Sequence, residues 1–153
     1  QAGDAEYPPF EPESFDVIVN RHLLWTLPHP ETALANWYGV LKPGGTVMVI
    51  DGVWDDGKLG TRVMRGISNT LSRLLEPHPH GEKGYSPDVR ELLPNLGGVA
   101  EDVARQYLAD AGFTQITVLD LMHIREDQRR RMPWYQKITT NWSYYLVSGR
   151  KGE

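Results

Sequence analysis

Two short β-branched runs, Phe15-Asp16-Val17-Ile18-Val19 and Thr46-Val47-Met48-Val49-Ile50-Asp51, bracket one amphipathic helix, and no other feature of this chain narrows its fold as much. Each run is almost wholly apolar and bounded by turn residues, the signature of a strand buried on both faces. Between them, Pro28-His29-Pro30 stops the chain before a helix. Pro30 suits the first helical position, and Glu31 places negative charge in the first turn. Leu34, Trp37, Tyr38 and Leu41 fall at i, i+3, i+4 and i+7, which gives the helix one apolar face, and Pro43-Gly44-Gly45 ends it. Strand, helix of about three turns, strand is the β-α-β unit of a parallel sheet with a right-handed crossover.

The chain continues in the same style. Leu59, Val63, Ile67, Leu71 and Leu74 recur at helical spacing and predict one helix. Residues 76–84, with Pro77 and Pro79, read as a turn-rich break. Ser86-Pro87-Asp88 looks like a serine-capped helix start, kept short by Pro94. Val103, Tyr107, Leu108 and Ala111 define a further helix closed by Gly112. Thr114–Leu121 and Ser143–Ser148 read as a third and a fourth strand, and Arg129-Arg130-Arg131 between them as a solvated loop beside Glu126 and Asp127.

At 153 residues one domain is expected, and such a domain buries roughly 68–70% of its unfolded surface. The absence of cysteine excludes a disulfide scaffold, cysteine-ligated zinc and thiol catalysis. A net charge of −4 argues against a nucleic-acid partner. No apolar run approaches the ~20 residues of a membrane span and no leader precedes the acidic start, so neither a membrane nor secretion is expected, and the compartment expected is the cytoplasm. The first fourteen residues, with Pro8, Pro9 and Pro12, form a loop without an initiator methionine, and the start is read as cut.

In an open parallel sheet ligands bind beyond the carboxyl ends of the strands. The two rims legible here are Asn20-Arg21-His22 and Asp51-Gly52-Val53-Trp54. The competing reading is that any β-α loop collects polar residues.

The segment G-D-A-E-Y-P-P-F-E-P-E-S-F-D-V-I-V at 3–19 resembles the middle of class I S-adenosylmethionine-dependent methyltransferases. N-R-H-L-L-W-T-L-P-H-P-E-T-A-L at 20–34 and V-L-K-P-G-G-T-V-M-V-I-D at 40–51 continue the resemblance in the family's order. L-A-D-A-G-F-T-Q-I-T-V at 108–118 and Y-Y-L-V-S-G-R-K at 144–151 are similar to its late helix and last strands. The family's glycine-rich turn has no counterpart, since the chain contains no G-x-G. The resemblance therefore implies the C-terminal part of a Rossmann-like α/β fold. Its mostly parallel half-sheet would have four strands, ordered four-five-seven-six in the family's numbering, with the last strand antiparallel and helices on both faces. Residues 55–104 would be a helical insertion, a lid within a single domain.

The resemblance also implies roles. Asp4 would accept from the adenine amino group and the Ala5 N–H would meet a ring nitrogen, whereas a plain turn-forming aspartate is the alternative. Asn20, Arg21 and His22 would line the methionine end of S-adenosylmethionine and the small-molecule acceptor. His22 is a possible base, its imidazole titrating in the right range, and a structural histidine is the competing reading. His123 is the weaker second. Trp54, Met64 and Tyr85 are the candidates for the acceptor side, with Trp134 and Trp142 behind them, and an apolar core role competes for these aromatics. His78-Pro79-His80 lacks a third ligand, and no metal is expected. The strand at 15–19 would become an apolar edge and so a template for pairing, giving a homodimer or complementation by a missing half. A non-catalytic, self-associating half-domain is the alternative to an enzyme.

Overall fold

A computed structural model of the chain describes residues 3–75, 85–139 and 143–153. The elements in order are β1 (Phe15–Arg21), α1 (Pro30–Val40), β2 (Leu41–Asp51), α2 (Leu59–Leu75), α3 (Pro87–Leu92), α4 (Glu101–Asp110), β3 (Thr114–Asp120), α5 (Met122–Arg131) and β4 (Tyr145–Arg150). Single 3-10 turns lie at Leu24–Thr26 and Gln136–Thr139.

The four strands form one sheet in the order β1-β2-β4-β3, which is the expected four-five-seven-six. β1 pairs parallel with β2, and β4 runs antiparallel to both of its neighbours, β2 and β3. The sheet is thus mixed by pairing, although β1, β2 and β3 point the same way.

The register sorts the side chains onto two faces. Val47 and Val49 on β2 share a face with Val147 on β4, and all three are fully buried. They join Leu34, Trp37, Leu41, Ala104, Leu108 and Phe113 in one core. Each such Val or Leu contributes about 1.5–3 kcal/mol by leaving water. α1 and α4 pack on this face and against each other. Gly112, at φ 94°, takes the left-handed conformation that ends α4 and sends the chain into β3. On the opposite face Val17 is 48% exposed and Val19 is 59% exposed, while Met48, Ile50 and Leu146 are half-buried. The expected Rossmann-like α/β fold, a four-stranded sheet with helices packed on it, is thus observed, with α1 and α4 on the face that holds the core.

Several boundaries differ from expectation. β2 begins at Leu41 rather than Thr46, because Phe15 pairs with Leu41 across an irregularity, so Pro43-Gly44-Gly45 is a kink at the strand's start. β4 lies two residues later than expected, at Tyr145–Arg150. Arg129–Arg131 are not a loop but the last turn of α5. Arginine is a good helix former, and cations suit the carboxyl end of the helix dipole. Ser86 occupies the N-cap of α3 without a side-chain cap hydrogen bond. Residues 76–84, with His78 and His80, and Trp142 lie outside the described residues.

Candidate functional site

β1 ends in Asn20-Arg21-His22, and the His22 N–H donates to the Ile50 carbonyl at 2.9 Å, extending the ladder by one bond. His22 then adopts φ 53°, a left-handed conformation that costs a non-glycine residue about 1–2 kcal/mol. Asp51 ends β2 on the buried face with no exposed surface, and its Oδ1 accepts the Gly52 N–H at 2.8 Å. Glycine is required at position 52 because a Cβ there would overlap the Ser143 carbonyl. This close approach brings the end of β2 against the entry to β4. The Tyr145 hydroxyl, donating to the Val99 carbonyl at 2.9 Å, ties the 98–100 segment to the same place.

Around His22 the side chains form a connected set. Its Nδ1 lies 3.8 Å from Asp51 Oδ1, within ion-pair reach but longer than a hydrogen bond. Its ring stacks on Tyr144 at 5.6 Å between centroids and meets Trp54 edge-on at 6.1 Å. Trp54 in turn meets Trp25 at 4.9 Å, and Trp25 meets Tyr85 at 5.9 Å. Arg125, from the first turns of α5, lies over the Tyr144 ring at 4.3 Å and places a guanidinium nitrogen 3.5 Å from His22 Nε2. A guanidinium can only donate, so Nε2 presents its lone pair and the proton resides on Nδ1, facing Asp51.

The electrostatics follow from burial. Burial pushes the Asp51 carboxyl up to about 6, a rise that the Gly52 N–H bonded to it and the nearby Val99 backbone oppose. Burial, then the positive charges of Arg125 and Arg21, hold His22 below its ordinary 6.5. The imidazole is neutral at neutral pH, the state a base needs.

Four buried atoms, Asn20 Oδ1, His22 Nδ1, Trp25 Nε1 and Asp51 Oδ2, have no hydrogen-bond partner among the described residues. Buried polar atoms are nearly always paired, and each one left alone costs about 1–3 kcal/mol. Three of them sit where β1 and β2 end, and Trp25 follows on the turn just beyond β1.

Asn20 also lines a groove of ≈ 430 Å³ along β1, together with Asp4, Ala5, Val19, Leu23 and Trp37. The wall containing Asp4 and Ala5 is pinned. Trp37 Nε1 donates to the Ala5 carbonyl at 2.8 Å, and Asn36 donates to the Glu6 carbonyl at 2.6 Å. Buried Glu6 accepts the His29 N–H at 2.6 Å, and Asp4 Oδ1 accepts the Glu6 N–H at 2.8 Å.

Of the residues singled out in the sequence, His22, Trp54 and Tyr85 lie in the ring-linked set, with Asn20 beside it, and Asp4 and Ala5 share the groove with Asn20. Arg21 is exposed at the rim, its charge acting on His22. Met64 lies on the exposed side of α2, His123 is exposed on α5, and Trp134 is exposed. Sequence reasoning missed Trp25, Arg125, Tyr144 and the central position of Asp51. A carboxylate closing a doubly buried strand was a usable signal for Asp51. Arg125 and Tyr144 had none, being about a hundred residues from His22 in the chain. Among the described residues no group of three or more His, Asp or Glu side chains is arranged to hold a metal ion.

The profile of the methyltransferase domain family matches residues 1–49. Sterol 24-C-methyltransferase of Saccharomyces cerevisiae is 29% identical over 143 residues, covering 93% of this chain and 32% of that protein. A ubiquinone/menaquinone biosynthesis C-methyltransferase of Cupriavidus pinatubonensis is 33% identical over 110 residues, covering 71% of this chain and 36% of that one. Among solved structures, phosphoethanolamine N-methyltransferase 2 of Haemonchus contortus, in complex with phosphomonomethylethanolamine and S-adenosylhomocysteine, superposes with a TM-score of 0.56. It shares 18% identity, covering 98% of this chain and 36% of that one. That last likeness is one of fold. The chain spans about a third of the length of the curated relatives it matches.

Proposed function

The chain belongs to the class I S-adenosylmethionine-dependent methyltransferases, and from that we propose that it carries the acceptor-facing part of a site for methyl transfer to a small, largely apolar molecule. The observation that supports this most directly is the convergence of partnerless buried polar atoms and aromatic rings at the carboxyl ends of β1 and β2. The residues present fit the cofactor. Asp4 and Ala5 stand on a pinned wall of the groove, where they would meet the adenine. Asn20, whose amide oxygen is buried and unmatched, would take a donor from the methionine end. When bound, S-adenosylmethionine supplies an electrophilic methyl group on a sulfonium leaving group.

The work left to this chain is placement and one proton. Trp25, Trp54, Tyr85 and Tyr144 exclude water and hold the acceptor against the methyl, which is where most of the rate arises in such a displacement. His22, neutral and with its lone pair on Nε2 beside Arg125, takes the proton that the acceptor gives up. Asp51 stabilises the imidazolium that results, and the Arg125 guanidinium beside Nε2 stabilises negative charge on the deprotonated acceptor. The two C-methyltransferase relatives, one a sterol enzyme by name and one of quinone biosynthesis, favour an apolar acceptor. Residues 55–104 serve as the lid on this side, while Met64, on the exposed side of α2, stands away from the acceptor wall. The test is methyl transfer from labelled S-adenosylmethionine in the longest protein containing this chain. His22→Gln should lower kcat and flatten its pH profile while S-adenosylhomocysteine still binds. Unchanged kcat in that variant would remove His22 from the mechanism.

The exposure of Val17 and Val19 on the edge strand favours a second reading, in which β1 pairs with another copy or with a complementing half. Titration of the chain with S-adenosylhomocysteine separates the two. Saturable heat from the chain alone supports the enzyme reading, and a stable dimer without any heat supports an interaction module.

A further inference from the structure

α2 is turned inside out. Its inward stripe is polar: Ser68 is buried and its hydroxyl donates to the Tyr135 carbonyl at 2.9 Å, while Arg65 pairs with Asp55 at 2.7 Å and also contacts the Trp54 carbonyl. Thr61, Asn69 and Ser72 on the same side are half-buried. Apart from half-buried Leu71, the apolar residues face water instead. Leu59 is 78% exposed, Leu74 76%, Leu75 54%, Val63 52%, Met64 48% and Ile67 45%. At about 100° per residue these six occupy one continuous arc. Arg62 and Arg73 lie together along one margin of that arc, and no aspartate or glutamate occurs anywhere in the helix. Among the described residues, the carboxylates just before the helix, Asp55 and Asp56, are already paired with Arg65 and Lys58. In a chain of net charge −4, the outward side of this helix carries apolar and cationic side chains, with Thr70 among them, and no carboxylate.

A long apolar arc bordered by cations is the composition of a helix that lies in a membrane interface. A second copy of α2 would bring no carboxylate to meet Arg62 and Arg73, whereas anionic headgroups would meet both. We propose that α2 docks this protein on an anionic lipid surface, with Val63, Ile67 and Leu74 in the acyl boundary and Arg62 and Arg73 at the phosphates. The helix lies on the bilayer and does not cross it, in keeping with the absence of any described helix long and apolar enough to span one. The sequence-based expectation of no membrane partner rested on spanning length, which a surface helix does not need.

The test is flotation of the chain with phosphatidylcholine vesicles, with and without phosphatidylserine, at low and high salt. Binding should require phosphatidylserine and weaken with salt. Arg62→Gln with Arg73→Gln should lower affinity about thirtyfold, at about fivefold for each arginine near a charged surface. Val63→Asp with Ile67→Asp should abolish binding while circular dichroism stays unchanged, since both side chains already face water. Absence of phosphatidylserine-dependent flotation, or equal flotation of the arginine variant, overturns the proposal. A dimer that dissociates in the aspartate variant also overturns it, assigning the arc to a second copy. No cofactor enters the assay, so its failure leaves the methyl-transfer reading standing, and the reverse.

Discussion

Asp51→Asn removes a charge from a position where folding opposes it, and the consequence can be worked out from the surroundings. Asp51 has no exposed surface, one oxygen bonded to the Gly52 N–H, the other without a partner among the described residues, and only His22, at 3.8 Å, as a candidate counter-charge. Burial carries its carboxyl from the ordinary 3.8 to about 6. At about 1.4 kcal/mol per pH unit that difference corresponds to about 3 kcal/mol. The folded protein holds this proton more tightly than the unfolded chain does. Stability from this group is therefore full below about pH 4 and lost as pH climbs through about 6. His22 acts in the opposite sense. Its lowered pKa means the unfolded chain takes up the proton first, so stability falls as pH drops below the ordinary 6.5. The two trends overlap, and the informative quantity is the difference between variant and wild type. Urea unfolding across about pH 4 to 8 should show near-equal stability at the acid end and a variant more stable by about 1–3 kcal/mol at the alkaline end. A difference that stays constant with pH, or a variant that is weaker at pH 8, would refute the account of Asp51 as a charge held against its burial. In methyl transfer the same variant should be slower by about tenfold or more, because the imidazolium loses its counter-charge.

Other consequences are equally direct. Trp37→Phe leaves the Ala5 carbonyl without its donor, which should cost about 1–3 kcal/mol in urea unfolding and weaken S-adenosylhomocysteine binding measured by calorimetry. Gly52→Ala drives a Cβ into the Ser143 carbonyl and should lower stability by about 2 kcal/mol or more, with a matching loss of near-ultraviolet aromatic signal around Tyr144. Trp54→Ala opens the wall against His22 and Trp25, raising the acceptor KM while cofactor affinity holds in the same calorimetric assay. Val19→Lys places a charge on the exposed face of β1 and should yield a monomer in light scattering if that strand pairs with another copy.

What the amino-acid order determined by itself was local and periodic. β-branched runs at Phe15–Val19 and Thr46–Asp51, a proline start and a one-sided apolar face between them specify a β-α-β unit, because strand and helix signals are written within a few residues of each other. The place of Thr114–Asp120 at the far edge, and the reversal of the last strand, came through the family resemblance rather than the pattern. Only tertiary structure decided the site. His22, Asp51, Arg125 and Tyr144 are separated along the chain and meet because β4 lies between β2 and β3 while Gly52 lets two backbones touch. Tertiary contacts likewise decided which side of α2 faces the protein. Its apolar and polar stripes are equally periodic, and the hydrogen bonds of Ser68 and Arg65 turned the polar one inward. Periodicity reveals that a helix has two sides, and only the partners it meets determine which of them is buried.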